Sequence, residues 1–409
     1  MRLLVVGGGV AGAATALAAR RVGLDVTVLE RRPALDPDEG SWITLAPNGL
    51  DVLDRLGVLD PARAVGWSAR TNRLLASGGR VLGEVPLGTP LADGSVALTM
   101  KRSALSALLV DAAVAAGADL RLGASVESLE DGAGGPAVVL ADGSRLTGDV
   151  VVGADGVWSR VRRAVDPRTP EPRYVGMVNF GGVTAGTGWN ERLAPEAWQF
   201  VFGRRCFTGA FPLPNGRVVW FVNEARPQVT PQERAATSDE QWRAHLCDLA
   251  AADAGPAAEL IAAGRLELAG DNTHDLARVP RWHGRASVLV GDAVHAPSPS
   301  SGQGAAMALE DAAVLVDLLR TRGLDGLPAY ETARRHRVEG IVRAGARTTS
   351  AKMPGPVGRV VRDGILRGLA ASGVMAREVL GTTAHRLEAH LLEPTRGAAV
   401  RCVRSDGPG

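Results

Sequence analysis

"LLVVGGGVAGAATALAARRVGLDVTVLE", Leu3 to Glu30, decides the fold. Leu3 to Val6 is a short apolar run suited to a strand buried on both faces. Gly7 to Gly12 forms a tight turn, residues 10–21 carry helical spacing, and Gly23 stops the helix. "DVTVLE", Asp25 to Glu30, is a second strand, which completes a βαβ unit on the roughly thirty-residue scale of that motif. With Arg2 in front and no charge from Leu3 to Ala19, the same letters also fit a secretory signal or a short membrane span. Glycines at 7, 8, 9 and 12 argue against both, because each needs an unbroken apolar helix. The expectation is a cytoplasmic protein without integral membrane association.

Gly7, Gly9 and Gly12 make G-x-G-x-x-G between strand and helix. The first glycine permits the turn, the second lets backbone approach a pyrophosphate, and the third lets the helix lie close to the strand. The free amides that open the helix, around Val10 and Ala11, then face the phosphates. Glu30 ends the second strand, where a carboxylate accepts the hydroxyls of an adenosine ribose; Arg31 beside it joins the expected cofactor-binding set. The competing reading is a close-packed βα turn with a surface glutamate. An acid at this place disfavours a 2′-phosphate, which leaves NAD and FAD open.

The bulk composition narrows the class. The 409 residues are 45% hydrophobic and 22% charged, with a net charge of +2, which is ordinary globular composition. Apart from Lys101 and Lys352 the basic residues are arginines scattered among acids, so nucleic acid is not an expected partner. Cys206, Cys247 and Cys402 lie far apart with no CxxC, which supports neither a disulfide framework nor a metal site.

Along the chain, residues 99–116 suggest a strand running into a helix with Ser103 as N-cap. Strand-like runs follow at 120–130, 137–140 and 145–152, with Asp142-Gly143 as a hairpin turn. Between Arg173 and Arg226 aromatics gather, among them Trp198, Phe200, Phe211 and Phe221, and Asn215-Gly216 marks another hairpin. This stretch is expected to form a separate sheet that covers something. Helical patterns occupy 231–264, 305–320 and 327–346.

Two further motifs sit at strand ends. "VVVGADGVWSRVRR", Val150 to Arg163, turns at Asp155-Gly156, which could be no more than a strand-to-helix turn capped by Ser159. "ASVLVGDAVHAPSPSSGQGAAMALEDA", Ala286 to Ala312, turns at Gly291-Asp292. With the glycine turn, these motifs and the H-xxx-P-xx-GQG-xxx-A-xEDA continuation from His295 resemble the FAD-dependent aromatic hydroxylases of the para-hydroxybenzoate hydroxylase type. The resemblance covers roughly residues 1–350.

That resemblance implies an α/β fold. A Rossmann-like FAD-binding domain of the glutathione reductase type, βαβ with a β-meander, would occupy 1–72, 97–172 and 272–350. It would interleave with a mostly β substrate domain at 73–96 and 173–271, and a C-terminal helical segment and tail would take 351–409. Gly7, Gly9, Gly12 and Glu30 would hold the ADP half of FAD. Arg102 would contact its phosphate or ribityl region, Asp155-Gly156 the pyrophosphate region, and Gly291-Asp292 the ribityl chain. Pro299, Gly302, Gln303, Gly304 and Ala305 would run along the isoalloxazine ring, where helix amides stabilise the charge of the reduced ring.

The implied activity is a monooxygenase: NADH or NADPH as transient reductant, O2, and a C4a-hydroperoxyflavin that transfers one oxygen atom to an aromatic or polycyclic substrate. Asn179, Trp198, Phe200, Arg204, Phe211 and Phe221 are the candidate substrate contacts, with strand-surface and salt-bridge roles open for Arg204. His295 is either a proton relay or a hydrogen-bonded brace for its loop. A flavin-dependent reductase or epoxidase of the same fold, or a non-catalytic binding protein, remain as alternatives, and monomer and dimer are both open.

Overall fold

The computed structural model describes residues 1–132, 135–350, 356–388 and 391–392. Its centre is a five-stranded, all-parallel sheet in the order Ser287–Leu289, Val150–Gly153, Arg2–Val6, Asp25–Glu30, Asp119–Leu122. Each central strand is a run of valine and leucine because helices and loops cover both faces. The Val10–Arg21 helix is buried along nearly its whole length. Its alanines let it lie close to the sheet while it packs against the helices Arg102–Ala115 and Gly304–Arg322.

An antiparallel meander of Val126–Gly132, Gly135–Leu140 and Arg145–Thr147 stands beside this sheet. Two of the strand-like runs are each split between the sheets. Residues 120–130 break at Gly123 (φ 70°), the first part joining the parallel sheet and the second the meander. Residues 145–152 break at Gly148, where a Cβ would lie 2.9 Å from Leu4 Cγ. Ser103 is not the N-cap: Lys101 takes that position without a side-chain bond, and the Ser103 hydroxyl donates to the carbonyls of Pro37 and Glu39. Asp142-Gly143 and Asn215-Gly216 both turn hairpins, with Gly143 at φ 83° and Gly216 at φ 79°.

The cover is a seven-stranded sheet in the order Arg265–Asp275, Arg173–Ala185, Arg217–Ala225, Cys206–Pro212, Ala197–Phe202, Thr71–Ala76, Val81–Pro86. The strand Arg265–Asp275 runs past residue 272, where the resemblance implied a domain boundary, and the Arg173 guanidinium grips Asp275 at its end at 2.7 Å. One face carries Val178, Phe180, Val218, Trp220 and Val222, which pack with Trp242, Leu246, Leu260 and Ile261 of the helices Asp239–Ala250 and Ala257–Ala263. The other face carries Trp198, Phe200, Phe211 and Phe221. Helices Pro356–Ala371 and Val374–Thr383 pack on the Val81–Pro86 edge. No helix among the described residues is long and apolar enough to cross a membrane. Cys402 lies outside the described residues; Cys206 is buried, which pushes its thiol up to about 12.

Trp220 is sealed between the cover sheet and its helices, with its indole N–H donating to Thr184 Oγ1 at 2.9 Å. Trp220→Ala should cost about 3–5 kcal/mol in urea unfolding, and Trp220→Phe distinctly less.

Candidate functional site

Four adjacent strands of the parallel sheet deliver the motifs to one edge. Val6 pairs with Gly153 and Leu29, and Gly153 pairs with Leu289. The ladder continues one residue beyond the strands through Gly7 N to Leu29 O, Ala154 N to Val6 O and Val290 N to Gly153 O, at 2.8–3.0 Å. The glycine turn, Glu30, Asp155-Gly156 and Gly291-Asp292 therefore line up side by side at the carboxyl ends of the strands, where open α/β sheets bind ligands.

The glycines there have different tasks. A Cβ on Gly7 (φ 105°) would lie 2.4 Å from Ala154 O, and one on Gly12 would lie 1.9 Å from Gly7 O. Both close the backbone. A Cβ on Gly9 would meet nothing within 4 Å. Gly9 is the N-cap of Val10–Arg21 and no side chain caps that end, so the first-turn amides have no intrahelical acceptor. This is an open cradle for a phosphate. Gly291 (φ 58°) closes against the same helix, since its Cβ would lie 2.7 Å from Ala11 Cβ.

Glu30 is buried, and its carboxylate accepts from Gly8 N at 2.7 Å and from Arg32 N and Nε at 3.0 Å. Burial opposes ionisation, yet these bonds hold its pKa below the ordinary value. A carboxylate has about four acceptor sites, so room remains for a ligand hydroxyl. Arg31, expected from sequence, is exposed, and Arg32 is the arginine that holds Glu30.

Ser159 is the N-cap of the helix Arg160–Val165, and Asp155 braces the same turn. The Asp155 carboxylate accepts from Ser159 Oγ at 2.5 Å, Arg160 N at 2.7 Å and Val161 N at 3.2 Å, while Ser159 Oγ accepts from Arg162 N. Burial nevertheless pushes Asp155 upward. Arg162, fully buried, donates to Ala293 O at 3.0 Å and so ties this turn to the Gly291-Asp292 turn. Gly156 (φ 78°) faces open space.

Asp292 differs from Asp155. No hydrogen bond reaches its carboxylate from the described residues. Burial pushes its pKa up, and the charges of His295 and Arg102 pull it down. A carboxylate left without a protein donor beside Arg102 fits a ligand that brings hydroxyl donors. Beyond it, Pro299–Ser301 is a short 3-10 turn, Gly302 (φ 61°) faces open space, and Gln303 caps the 19-residue helix Gly304–Arg322 without a side-chain bond to it. Gly304 and Ala305 are half-buried at that end. Helix amides, an unpartnered carboxylate and a phosphate cradle on one edge fit a long dinucleotide such as FAD.

Behind the turn lies a buried ion cluster that sequence reading missed. Asp311 accepts from Arg334 Nε at 2.8 Å, from Gly291 N at 3.1 Å, and from His295 Nε2. Glu310 is held by Arg334 at 2.7 Å, by Arg337 in two bonds of 2.9 Å, and by Asn48 Nδ2 at 2.8 Å. Burial works against both carboxylates, but the neighbouring positive charges hold each down at about 2. An adjacent acidic pair in an Ala/Leu/Val helix was the one available signal, since buried acids need partners. His295 is itself buried, packed near Trp282.

The register of the cover sheet puts Asn179, Phe211 and Phe221 on its face away from the helices, with Trp198 and Phe200 beside them. Trp198 and Phe211 are core residues there, whereas Phe200 and Phe221 are partly exposed, with centroids 5.8 Å apart. The Trp198 indole N–H is used by Thr44 Oγ1 (3.0 Å) and Thr99 Oγ1 (3.1 Å), which fastens the cover to the three-stranded sheet Trp42–Leu45, Ala97–Lys101, Trp67–Ala69. Lys101 and Glu267, both buried, make a second tie at 2.5 Å. Asn179 is engaged by Thr273 and Asn223. Arg204 does not join this face. It is exposed on the hairpin loop, its backbone held by Asp253.

Comparison with known proteins places this geometry. The family model described as FAD binding domain matches residues 1–345. The chain is 29% identical to the aurachin C monooxygenase/isomerase of Stigmatella aurantiaca over 395 residues, 92% of this chain and 96% of that protein. It is 32% identical to the FAD-dependent urate hydroxylase of Klebsiella pneumoniae over 356 residues, 84% of this chain and 88% of that protein. Among solved structures, Klebsiella pneumoniae HpxO complexed with FAD and uric acid superposes with a TM-score of 0.80 at 25% identity, covering 94% of this chain and 97% of that one.

The ion cluster has a pH signature. Because the folded values of Glu310 and Asp311 lie below the unfolded ones, their stabilisation is complete above about pH 5 and is lost as pH falls toward 2. Asp311→Asn should cost about 3–5 kcal/mol at neutral pH and flatten the acid limb of a stability-versus-pH curve from urea melts.

Proposed function

The chain belongs to the FAD binding domain family and is an FAD-dependent monooxygenase by type; from that premise we propose that it takes electrons from NADH or NADPH and inserts one atom of O2 into an aromatic or polycyclic small molecule. One observation carries the cofactor assignment. Two long helices, neither capped by a side chain, start on the strand-end edge where Asp292 has no donor among the described residues.

In this reading the amides at Gly9, Val10, Ala11 and Gly12 hold the pyrophosphate, and Glu30 accepts a ribose hydroxyl. Asp292 accepts from the ribityl hydroxyls, with Arg102 balancing its charge. Asp155 acts through the turn it braces, whose Ala154 backbone lies close against Gly7. Pro299, Gly302, Gln303, Gly304 and Ala305 line the ring. FAD, when bound, supplies the redox chemistry that activates O2. The chain's contribution is to orient and to exclude water. Phe200 and Phe221 form the partly exposed apolar wall against which a flat substrate lies, and the ties through Trp198 and Lys101 keep that wall closed. His295, whose Nε2 is taken by Asp311, braces the loop.

Purified protein should be yellow and should consume O2 with NADH or NADPH when substrate is present. Product formed under ¹⁸O2 should carry the label; unlabelled product would make the protein a reductase. Asp292→Ala should weaken FAD binding about 10- to 100-fold, the scale of a lost hydrogen bond to a charged group. His295→Ala should lower stability yet retain FAD, as read by flavin absorbance after gel filtration.

A further inference from the structure

Amide groups are ambiguous in most proteins, because oxygen and nitrogen can exchange places by a flip. Beside the Gly304–Arg322 helix that ambiguity is removed by a charge. Glu310 is a carboxylate whose oxygens take bonds from Arg334 and Arg337, so toward Asn48 it can only accept. Asn48, buried on the helix Pro47–Arg55, must therefore offer its NH2 group, at 2.8 Å. The same nitrogen reaches Gln303 Oε1 at 3.0 Å, so Gln303 must present its oxygen inward. Two consequences follow. The Asn48 oxygen is left buried without a partner among the described residues. The Gln303 NH2 group points away from Asn48, and no acceptor among the described residues takes it. Gln303 is 5% exposed and sits at the start of the helix, whose first turn touches the Pro47–Arg55 helix where a Cβ on Gly49 would lie 3.2 Å from Ala306 Cα.

We propose that Glu310 and Asn48 are positioning residues that turn the Gln303 carboxamide so that its NH2 group, and not its oxygen, faces the acceptor held at the start of the Gly304–Arg322 helix. The acceptor is the flavin ring carbonyl that gains negative charge on reduction, so the inference rests on the FAD reading above. A fixed donor there favours the reduced ring over the oxidised one, since a hydrogen bond to a charged acceptor is stronger than one to a neutral acceptor. The chain of command is polar and one-way: the anion sets Asn48, and Asn48 sets Gln303.

The test is binding, not turnover. Apoprotein is titrated with oxidised FAD and, anaerobically, with dithionite-reduced FAD, and the ratio of the two dissociation constants is recorded for wild type, Gln303→Met, Asn48→Leu and the double variant. Each single variant should lose about tenfold of the preference for reduced FAD, and the double variant should lose no more than one alone, because Asn48 acts only through Gln303. A Gln303→Met ratio within twofold of wild type overturns the proposal. So does an Asn48→Leu ratio at the wild-type value, or an equal further loss from Asn48→Leu in the Gln303→Met background. If Asn48→Leu does not fold, Asn48→Ser takes its place under the same criteria. Failure of the wild-type protein to bind either form of FAD overturns the FAD reading itself, a result distinct from an unchanged ratio.

Discussion

The backbone of Gly7 lies so close to the carbonyl of Ala154 that a Cβ there would sit 2.4 Å from the oxygen. That contact is where two strands separated by most of the first domain meet, and the site depends on it. It lets the first helix begin low over the strand ends, and it seats the Asp155-Gly156 turn beside the phosphate cradle. From there Arg162 reaches the carbonyl of Ala293 and draws in the Gly291-Asp292 turn. Gly291 then closes on Ala11 of that same first helix. Three turns far apart in sequence thus lock one another through two close approaches, at Gly7 and Gly291, that a side chain would break, and one hydrogen bond that the Arg162 side chain makes.

The electrostatics follow a similar division. On the ligand side stand free amides and one carboxylate without a donor. On the protein side the buried Glu30, Glu310 and Asp311 each accept three or more bonds. Glu310 and Asp311 would be costly to bury alone, and Arg334 makes them tolerable only by bridging both. The arrangement fixes the helix start that carries the GQG turn, so charge spent inside the core shapes a surface at which the ligand's own charge changes.

Much of this was legible in the sequence, for local reasons. The first βαβ unit was, because its glycines, apolar runs and terminal acid all fall within one short window. The two later turns were also legible as motifs, and the aromatic cover as a change of texture. What escaped was whatever depends on distant partners. An apolar run does not say which sheet it joins, so the breaks at Gly123 and Gly148 were invisible. Arg32 reaches back to hold Glu30, a contact that a strand end alone does not announce. The indole of Trp198 looked like a substrate contact by composition, yet its N–H belongs to Thr44 and Thr99, residues brought near only by the tertiary fold. The Glu310–Asp311 pair was plain in the sequence, but its partners Arg334, Arg337, Asn48 and His295 come from three other segments.

The order of strands in the parallel sheet carries a consequence for how the protein is born. Arg2–Val6 and Asp25–Glu30 leave the ribosome first and can pair at once, with the phosphate cradle between them. The Ser287–Leu289 strand that brings Asp292 is the last to join the sheet, after the whole cover sheet has been synthesised. Half of the ligand site thus exists long before the other half, and the edge strand Val150–Gly153 waits with one side unpaired. Pairings of such long range close slowly and leave sticky edges exposed meanwhile. A ligand that spans both halves would then bridge the strands that are made first and the strand that is made last.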